Sequence, residues 1–378
     1  MKIDASRLVF PDKPAREHIG NRLSLRRSKS DGTELKFGQV LKLNAYRSVP
    51  DPGGVIEFSQ QIRPVKDQGQ KGSCYSFTGT GQKSYHEITQ GDYPDGGFSE
   101  AHIVSHCKAL DGYPNQEGSD FKTLMKVLQT FGVCLEKTLP YSELEKLPGA
   151  QVPKITAAMD KEALPYRIQN YAQILAATDG NRDMAEYLFR QALLTQGPFP
   201  IGVYVFESFV PDAQGIIPVP GTTLERDTYR GNHAIFAVGH YPGIGPKLQN
   251  SWGKEWGLGG YAFLANDWLK AYWAPAGVGE KAWFLSEAWT AVDIGGGKVP
   301  KPDVVKATRA DLIVFTLDSD TMYVDGRAVK LEQPAEADTD TNRSLAPIAK
   351  FADAAGYSVQ WIEADRQIIL RNRGQKGE

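Results

Sequence analysis

The sequence predicts an α+β protein with a mainly helical first half and a mainly stranded second half. Two segments of the first half, 119–133 and 182–197, place apolar residues at helical spacing and end at glycine. After residue 198 the period changes to short, turn-bounded runs rich in β-branched and aromatic residues. Because each half must bury its own apolar face, we expect two packed layers that meet at a cleft.

The composition excludes several classes of protein. The chain has 378 residues, a formal net charge of -2 and a hydrophobic share of 41%. Its length predicts more than one domain, and its balanced charge gives no electrostatic footprint for nucleic acid or an anionic membrane. Residues 1–20 lack the apolar run of a signal peptide, and no apolar stretch is long enough to predict a transmembrane helix. Localisation stays open: cytoplasmic, or exported by a route without a signal peptide.

Composition also divides the chain into four parts. Residues 1–46 form an N-terminal extension, basic in its middle, that is a candidate short propeptide. A Pro/Gly-rich hinge at 48–54 leads into the main domain, which we place at 47–294. Residues 295–303 form a glycine-rich linker, and 304–374 form a small, separate C-terminal domain.

The elements of these domains follow from local patterns. Residues 74–90 have the small and aromatic spacing of a buried helix. The four strands predicted in the second half are 199–209, 233–241, 246–252 and 259–265. In the small domain we expect a hairpin turning at Asp325-Gly326, a helix at 344–356 and a second hairpin at 357–373.

Cys74 stands out among the three cysteines, which cannot all pair within the chain. It opens the helix predicted at 74–90, where the helix N-terminus favours a thiolate by about 0.3–1 kcal/mol. A nucleophilic thiol also needs an imidazole partner. Gln68, six residues upstream, could donate to the oxyanion of a tetrahedral intermediate together with the backbone N–H of Cys74. The alternative role of Cys74 is that of a small buried hydrophobe.

His233 is the preferred imidazole among six histidines. It lies at the start of a predicted strand, where a side chain can face a cleft, whereas His240 lies at the far end of that strand. Their spacing of seven puts them on opposite faces, and we expect a structural role for His240. Asn250 could orient the ring, with Trp252 as an apolar cover. The remaining histidines are expected in surface or packing roles: His18, His86, His102 and His106.

Three blocks of the sequence resemble the active-site blocks of papain-like cysteine peptidases: PVKDQGQKGSCYSF, NHAIFAVGH and QNSWGKEWGLGGY. The resemblance covers roughly residues 50 to 292 and implies a papain-like fold with a cleft between its halves. It implies Gln68 as oxyanion donor, Cys74 as nucleophile, His233 as general base and Asn250 as orienting amide. Trp252 matches the shielding indole of the family. No cofactor and no metal are implied.

The details are similar to the bacterial-type branch of the family. Gly118 would match the glycine whose backbone pairs with extended substrate. Lys71 stands where the family often has a disulfide-forming cysteine, and Tyr75 replaces the usual tryptophan. Cys107 and Cys134 are expected to be buried free thiols, with a mutual disulfide as the alternative. The long helical propeptide of plant and lysosomal relatives has no match in residues 1–46, but a short segment covering the cleft remains a candidate.

The C-terminal domain resembles the small domain found at the N-terminus of some copper amine oxidases. Residues 298–378 contain no histidine and no cysteine, so neither a metal set nor copper-dependent oxidation is expected. Its expected role is non-catalytic, with a protein or cell-surface partner as candidate. The predicted function is therefore a thiol endopeptidase acting on proteins or peptides through an acyl-enzyme. The alternatives are a papain-fold acyl transferase and a catalytically silent binding protein with the same fold.

Overall fold

The computed structural model describes the chain from residue 1 to 10, 22 to 293 with gaps, and the strands of the C-terminal region. The gaps within the second range are 33, 39–50, 52 and 275–280. The chain forms two compact units, and each is described by itself. One comprises Met1–Ser48 and Ile56–Asp303; the other comprises Val49–Val55 and Val304–Glu378. None of the described helices is long and apolar enough to cross a bilayer.

The first half of the larger unit is helical, as predicted. Its central helix is almost wholly buried, and its hydroxyl side chains bond to carbonyls one turn back. A Cβ at Gly79 would lie 2.7 Å from Leu124 Cδ1, so this glycine lets two helices pack closely. The helices are α1 (Cys74–Gln90), α2 (Glu100–Leu110), α3 (Phe121–Thr130), α4 (Tyr141–Glu145), α5 (Ala157–Ala163) and α6 (Ala185–Gln196).

The second half is a mainly antiparallel sheet in the order β3-β11-β4-β6-β7-β8-β5, with β1 and β2 also pairing with β6. Its strands are β1 (Leu8–Val9), β2 (Ile56–Glu57), β3 (Ile168–Leu175), β4 (Phe199–Phe206), β5 (Ile216–Ile217), β6 (Asp227–Tyr241), β7 (Gly245–Gln249), β8 (Tyr261–Leu264) and β11 (Leu285–Asp293). Strands β9 (Tyr272–Trp273) and β10 (Ala282–Trp283) form a separate pair. The sheet positions the catalytic candidates because β6 contacts both helix α1 and strand β7.

Strand β6 differs from the prediction in length. It begins at Asp227 rather than near His233, so His233 lies in the middle of the strand and not at its start. The sequence Asp227–Asn232 lacks an apolar run, yet it pairs with β4 on one side and, at Asp227 and Thr228, with β1. Tertiary pairing therefore extends the strand beyond its local signal.

The smaller unit has an antiparallel five-stranded sheet in the order β14-β13-β12-β18-β17. Both predicted hairpins form, as β13 (Thr321–Val324) with β14 (Arg327–Lys330) and β17 (Tyr357–Ile362) with β18 (Gln367–Asn372). Strand β12 (Leu312–Thr316) lies between the hairpins, and β15 (Ala337–Asp338) pairs with β16 (Arg343–Ser344). The helix predicted at 344–356 lies outside the described residues, except for Ser344.

Candidate active site

Cys74 is the first residue of helix α1, and no part of it is exposed. Its Sγ accepts a hydrogen bond from the backbone N–H of Ala234 at 3.4 Å. The hydroxyl of the preceding Ser73 bonds to Tyr141 at 2.6 Å, which fixes the turn into the helix. Burial raises the pKa of the Cys74 thiol, while hydrogen bonds from Ala234 and Ser24 oppose the rise. Because the pKa is raised, the neutral thiol is favoured in the described structure.

The imidazole of His233 lies beside Asn250. His233 Nε2 is 2.8 Å from Asn250 Oδ1, which also accepts the backbone N–H of Ser251 at 2.8 Å. Because an amide oxygen only accepts, this contact places the proton of a neutral ring on Nε2. The other nitrogen, Nδ1, is buried without a hydrogen-bond partner among the described residues. The indole of Trp252 covers the ring, with the ring centroids 4.6 Å apart.

Gln68 is held in a loop that pairs with the Asn250 loop. Its backbone N–H donates to Ser251 O at 2.9 Å, and its Oε1 accepts from the Ser251 hydroxyl at 2.7 Å. These two bonds orient the amide, so that Nε2 donates to Lys71 O at 2.8 Å and reaches Arg22 O at 3.3 Å. A side-chain N–H of Gln68 therefore already points at a carbonyl oxygen of the N-terminal extension.

The structure brings Gln68, Cys74, His233 and Asn250 into one cluster. The residue after His233 bonds to the Cys74 sulfur, and the residue after Asn250 holds Gln68. Burial is also the main cause that lowers the pKa of His233, to about 4, against the opposing hydrogen bonds to the Asn250 side chain and the Arg22 backbone. Both the thiol and the imidazole are therefore held in their neutral forms.

Residues 22–28, which we call the cleft segment, cover this cluster. Ser24 Oγ lies 3.8 Å from Cys74 Sγ. The backbone N–H groups of Leu25 and Arg26 donate to Asn232 O at 3.2 Å and to Ser119 O at 2.7 Å. The segment thus bonds on one side to the helical half and on the other to strand β6, across the nucleophile.

Gly118 permits this close approach. It has φ +87, and a Cβ added there would lie 1.8 Å from Ser24 O, so only glycine fits. Leu25, the residue after Ser24, fills an apolar hole. Its side chain is 5% exposed and, together with the Phe121 ring, lies beside the Gly202 position. The resemblance implied that the backbone of Gly118 pairs with extended substrate, which stays a prediction; the segment that approaches Gly118 in the structure is the cleft segment.

Charged contacts anchor the C-terminal end of the cleft segment and the residues after it. Arg26 Nη1 donates to Asp111 Oδ2 at 3.0 Å, and its guanidinium carbon lies 4.4 Å from the centre of the Tyr113 ring. Beyond the cleft segment, Glu34 forms a 2.8 Å ion pair with Lys122 of helix α3. Sequence reasoning missed these anchors because their partners lie about 90 residues away, beyond the reach of any local pattern.

The other residues singled out in the sequence have structural surroundings. His240 is fully buried, with Nδ1 2.9 Å from Arg190 Nη1 and Nε2 3.3 Å from Asn266 Oδ1. Cys107 and Cys134 are buried free thiols. Lys71, at the position of the family's cysteine, bonds through Nζ to the carbonyls of Leu147 and Gly149, which ties together the loops on that side of the cluster.

Comparisons with known proteins agree with this geometry. Residues 55–272 match the sequence profile described as papain family cysteine protease, and residues 298–370 match that of the copper amine oxidase N-terminal domain. Cathepsin C of Schistosoma mansoni is 30% identical over an alignment of 220 residues, and the match covers 53% of this chain and 43% of that protein. The thiol protease aleurain of Arabidopsis thaliana is 26% identical over 212 residues, covering 53% and 51% of the two chains.

Among solved structures, xylellain, a cysteine protease from Xylella fastidiosa, superposes with a TM-score of 0.55 at 21% identity. The match covers 72% of this chain and 96% of xylellain, and it shows the shared fold. The fold and the matched sequence profile together define the class to which the chain belongs, that of papain-like proteins. The chain belongs to the papain family of cysteine proteases. It spans 43% of the length of the cathepsin C relative and 51% of the length of aleurain.

Proposed function

We propose that the chain is a thiol endopeptidase in which Cys74 is the nucleophile and His233 the general base. His233 Nδ1 takes the thiol proton, and Cys74 Sγ forms a bond to the peptide carbonyl carbon. Gln68 Nε2–H and the Cys74 backbone N–H stabilise the resulting oxyanion. His233 then protonates the amine as the C–N bond breaks, and Asn250 keeps the ring in position throughout.

The second half of the reaction regenerates the enzyme. Water enters after the amine leaves, His233 Nδ1 takes one of its protons, and the hydroxide adds to the thioester carbonyl. The C–S bond breaks, the proton returns to the sulfur, and a carboxylic acid is released. The observation that carries this proposal is the convergence of Gln68, Cys74, His233 and Asn250 in one buried cluster, in which His233 Nδ1 accepts no hydrogen bond from the part of the chain that the structure describes.

The described form is latent because the cleft segment occupies the site. Ser24 lies at the sulfur, and the Arg22 carbonyl accepts from the oxyanion donor Gln68. Residues 1–46 therefore act as a short inhibitory extension whose release opens the cleft, so that the full chain is a zymogen. The apolar hole filled by Leu25 supports recognition of substrates with an apolar side chain at the corresponding position.

Matched cysteine variants test the nucleophile. After release of the N-terminal extension, Cys74→Ala should abolish both peptide hydrolysis and labelling by a thiol-directed epoxide, while Cys107→Ala, a change at another buried thiol, should keep both. Retained hydrolysis in Cys74→Ala together with loss in Cys107→Ala would show that the assignment is wrong. Product analysis with an added amine separates hydrolysis from acyl transfer, because a transferase would give mainly the amide.

A further inference from the structure

A second cluster of chemically reactive side chains lies outside the residues assigned to catalysis. His102 and His106 are four residues apart on helix α2 and therefore share one face. Asp160, on helix α5, faces them: its Oδ1 is 3.3 Å from His102 Nε2 and 2.8 Å from His106 Nε2. Of the described residues, these three form a set whose candidate ligand atoms all lie within 4.8 Å of one another.

We propose that His102, His106 and Asp160 bind one divalent transition-metal ion of the zinc type. Two imidazole nitrogens and one carboxylate oxygen suit such an ion better than Mg²⁺ or Ca²⁺, which prefer oxygen ligands throughout. Three protein ligands leave a fourth position for water. Solvent can reach the site from the side of Asp160, whose side chain is 39% exposed.

The state of His102 is the main support for the site. Its side chain has no exposed surface, yet among the described residues Nδ1 has no hydrogen-bond partner and Nε2 has only the 3.3 Å contact with Asp160 Oδ1. Buried polar atoms without partners are rare, and each calls for an explanation such as an ion. A metal bound to Nε2 would satisfy the nitrogen that faces Asp160.

The two spacings that involve Asp160 are close to those of a tetrahedral ion, and the candidate ligand atoms of the two histidines lie within 4.8 Å of each other. Ligands bonded to tetrahedral zinc at 2.0–2.1 Å lie roughly 3.3 Å apart, which is the separation of His102 Nε2 from Asp160 Oδ1. The 2.8 Å contact of His106 with Asp160 would widen by about half an ångström on that geometry. The His106 ring is meanwhile fixed by stacking on Phe131, with centroids 4.0 Å apart.

The proposed ion would hold helix α5 to helix α2. Helix α5 has seven residues, of which Ala163 is buried and Met159 packs partly buried against the core. Its other polar links run through Glu162, which accepts from Leu135 N and Thr138 Oγ1. A metal bond between Asp160 and the two histidines would add a direct link from this short helix to helix α2.

Direct metal binding tests the proposal. The full chain, made without a polyhistidine tag and carrying Cys74→Ala to remove a competing thiol, is stripped with chelator and titrated with Zn²⁺ by calorimetry. Visible absorption with Co²⁺ reports the coordination geometry. We expect one ion per chain, a tetrahedral or five-coordinate Co²⁺ spectrum, and a rise in Tm of roughly 5 °C when free Zn²⁺ is a hundredfold above Kd.

Three variants in that background locate the ion. Asp160→Asn and His106→Gln should weaken Zn²⁺ binding more than about tenfold, since loss of even an outer-shell partner costs 10–100-fold. His86→Gln, a change at another buried histidine of the helical half, is the matched control and should bind as tightly as the parent. Asp160→Asn keeps a hydrogen-bond acceptor for His106 on a partly exposed helix, so its fold is expected to survive, and chelator-treated Tm checks this.

Each result of these binding experiments either supports or overturns the proposed metal site. Loss of binding in Asp160→Asn and His106→Gln, with binding retained in His86→Gln, supports the site. Absence of Zn²⁺ and Co²⁺ binding by the parent would overturn it and leave an ordinary His106–Asp160 hydrogen bond. Unchanged binding in both ligand variants would also overturn it, because the ion would then be held elsewhere.

Discussion

Strand β6 carries two fully buried histidines in different surroundings, His233 and His240. His240 has a partner at each ring nitrogen, Arg190 and Asn266. His233 has one nitrogen bonded to Asn250, whereas the other has no hydrogen-bond partner among the described residues and lies under the cover of Trp252. The first arrangement satisfies a buried polar group and stabilises packing. The second leaves a nitrogen available for a proton, which is what a general base requires.

The largest effect should separate these two histidines. In the processed enzyme His233→Ala should lower kcat/KM for a small peptide by at least about a thousandfold, because the thiol loses its base. His240→Ala should leave kcat/KM within a fewfold of the parent and lower Tm instead, because Arg190 loses its buried partner. A kinetic assay with a thermal melt of each variant measures both. Equal loss of activity in the two variants would contradict the assignment of His233 as the base and of His240 as a packing residue.

An intermediate effect is expected at Gln68. Gln68→Ala should lower kcat by roughly 10- to 1000-fold with little change in KM, since one oxyanion donor is lost. Ser251→Ala is a useful companion: it removes the hydroxyl that holds Gln68 Oε1 and should produce a smaller loss in kcat. A Gln68→Ala enzyme with normal kcat would show that this amide does not meet the developing charge.

The pH dependence of cleft opening should be smaller. The pKa of His233 is about 4 in the closed form, whereas an exposed imidazole titrates near 6.5. At a pH between these two pKa values, opening of the cleft is therefore accompanied by protonation of His233. Lowering the pH from 7 to 5 should then favour the open form by on the order of tenfold. Hydrogen exchange at the amides of Leu25 and Arg26, corrected for intrinsic rates, measures it in Cys74→Ala. Exchange that slows at pH 5 would contradict the sign.

The smallest effect should come from the C-terminal domain. Cutting the chain near residue 297 removes none of Gln68, Cys74, His233 and Asn250, so the rate on small peptides should stay within about twofold. Large protein substrates should be affected more if the domain binds them, because a tethered second site raises local concentration. An aggregated or inactive 1–297 fragment would show instead that the domain supports the peptidase core.

Much of this site could be predicted from the sequence because its signals are local. Cys74 at a helix start, the Asn-Ser-Trp-Gly run at 250–253 and the glycine-bounded helices each require only neighbouring residues. The position of His233 in the middle of β6 was not predicted, because the pairing of Asp227 and Thr228 with β1 involves residues more than 200 positions away.

The cleft segment and the second cluster were out of reach for the same reason. Leu23 and Leu25 flank Ser24 in the basic stretch of the extension, but no pattern among the neighbouring residues predicts that Leu25 fills a hole beside Gly202. His102 and His106 have a spacing that suits a metal, yet Asp160 lies 54 positions from His106. Histidines spaced in this way on a buried helix are indistinguishable from packing residues until the third side chain is located.

The most direct test of the account measures access to Cys74 in the unprocessed chain. The rate of Cys74 labelling by a thiol-directed epoxide should be low in the full-length protein and rise at least tenfold in Leu25→Ser and Arg26→Ala, which weaken the cleft segment. Arg27→Ala removes the same charge from an exposed neighbour and should leave the rate unchanged. Rapid labelling of the unprocessed parent, equal to that of Leu25→Ser and Arg26→Ala, would contradict the claim that residues 22–28 keep this peptidase latent.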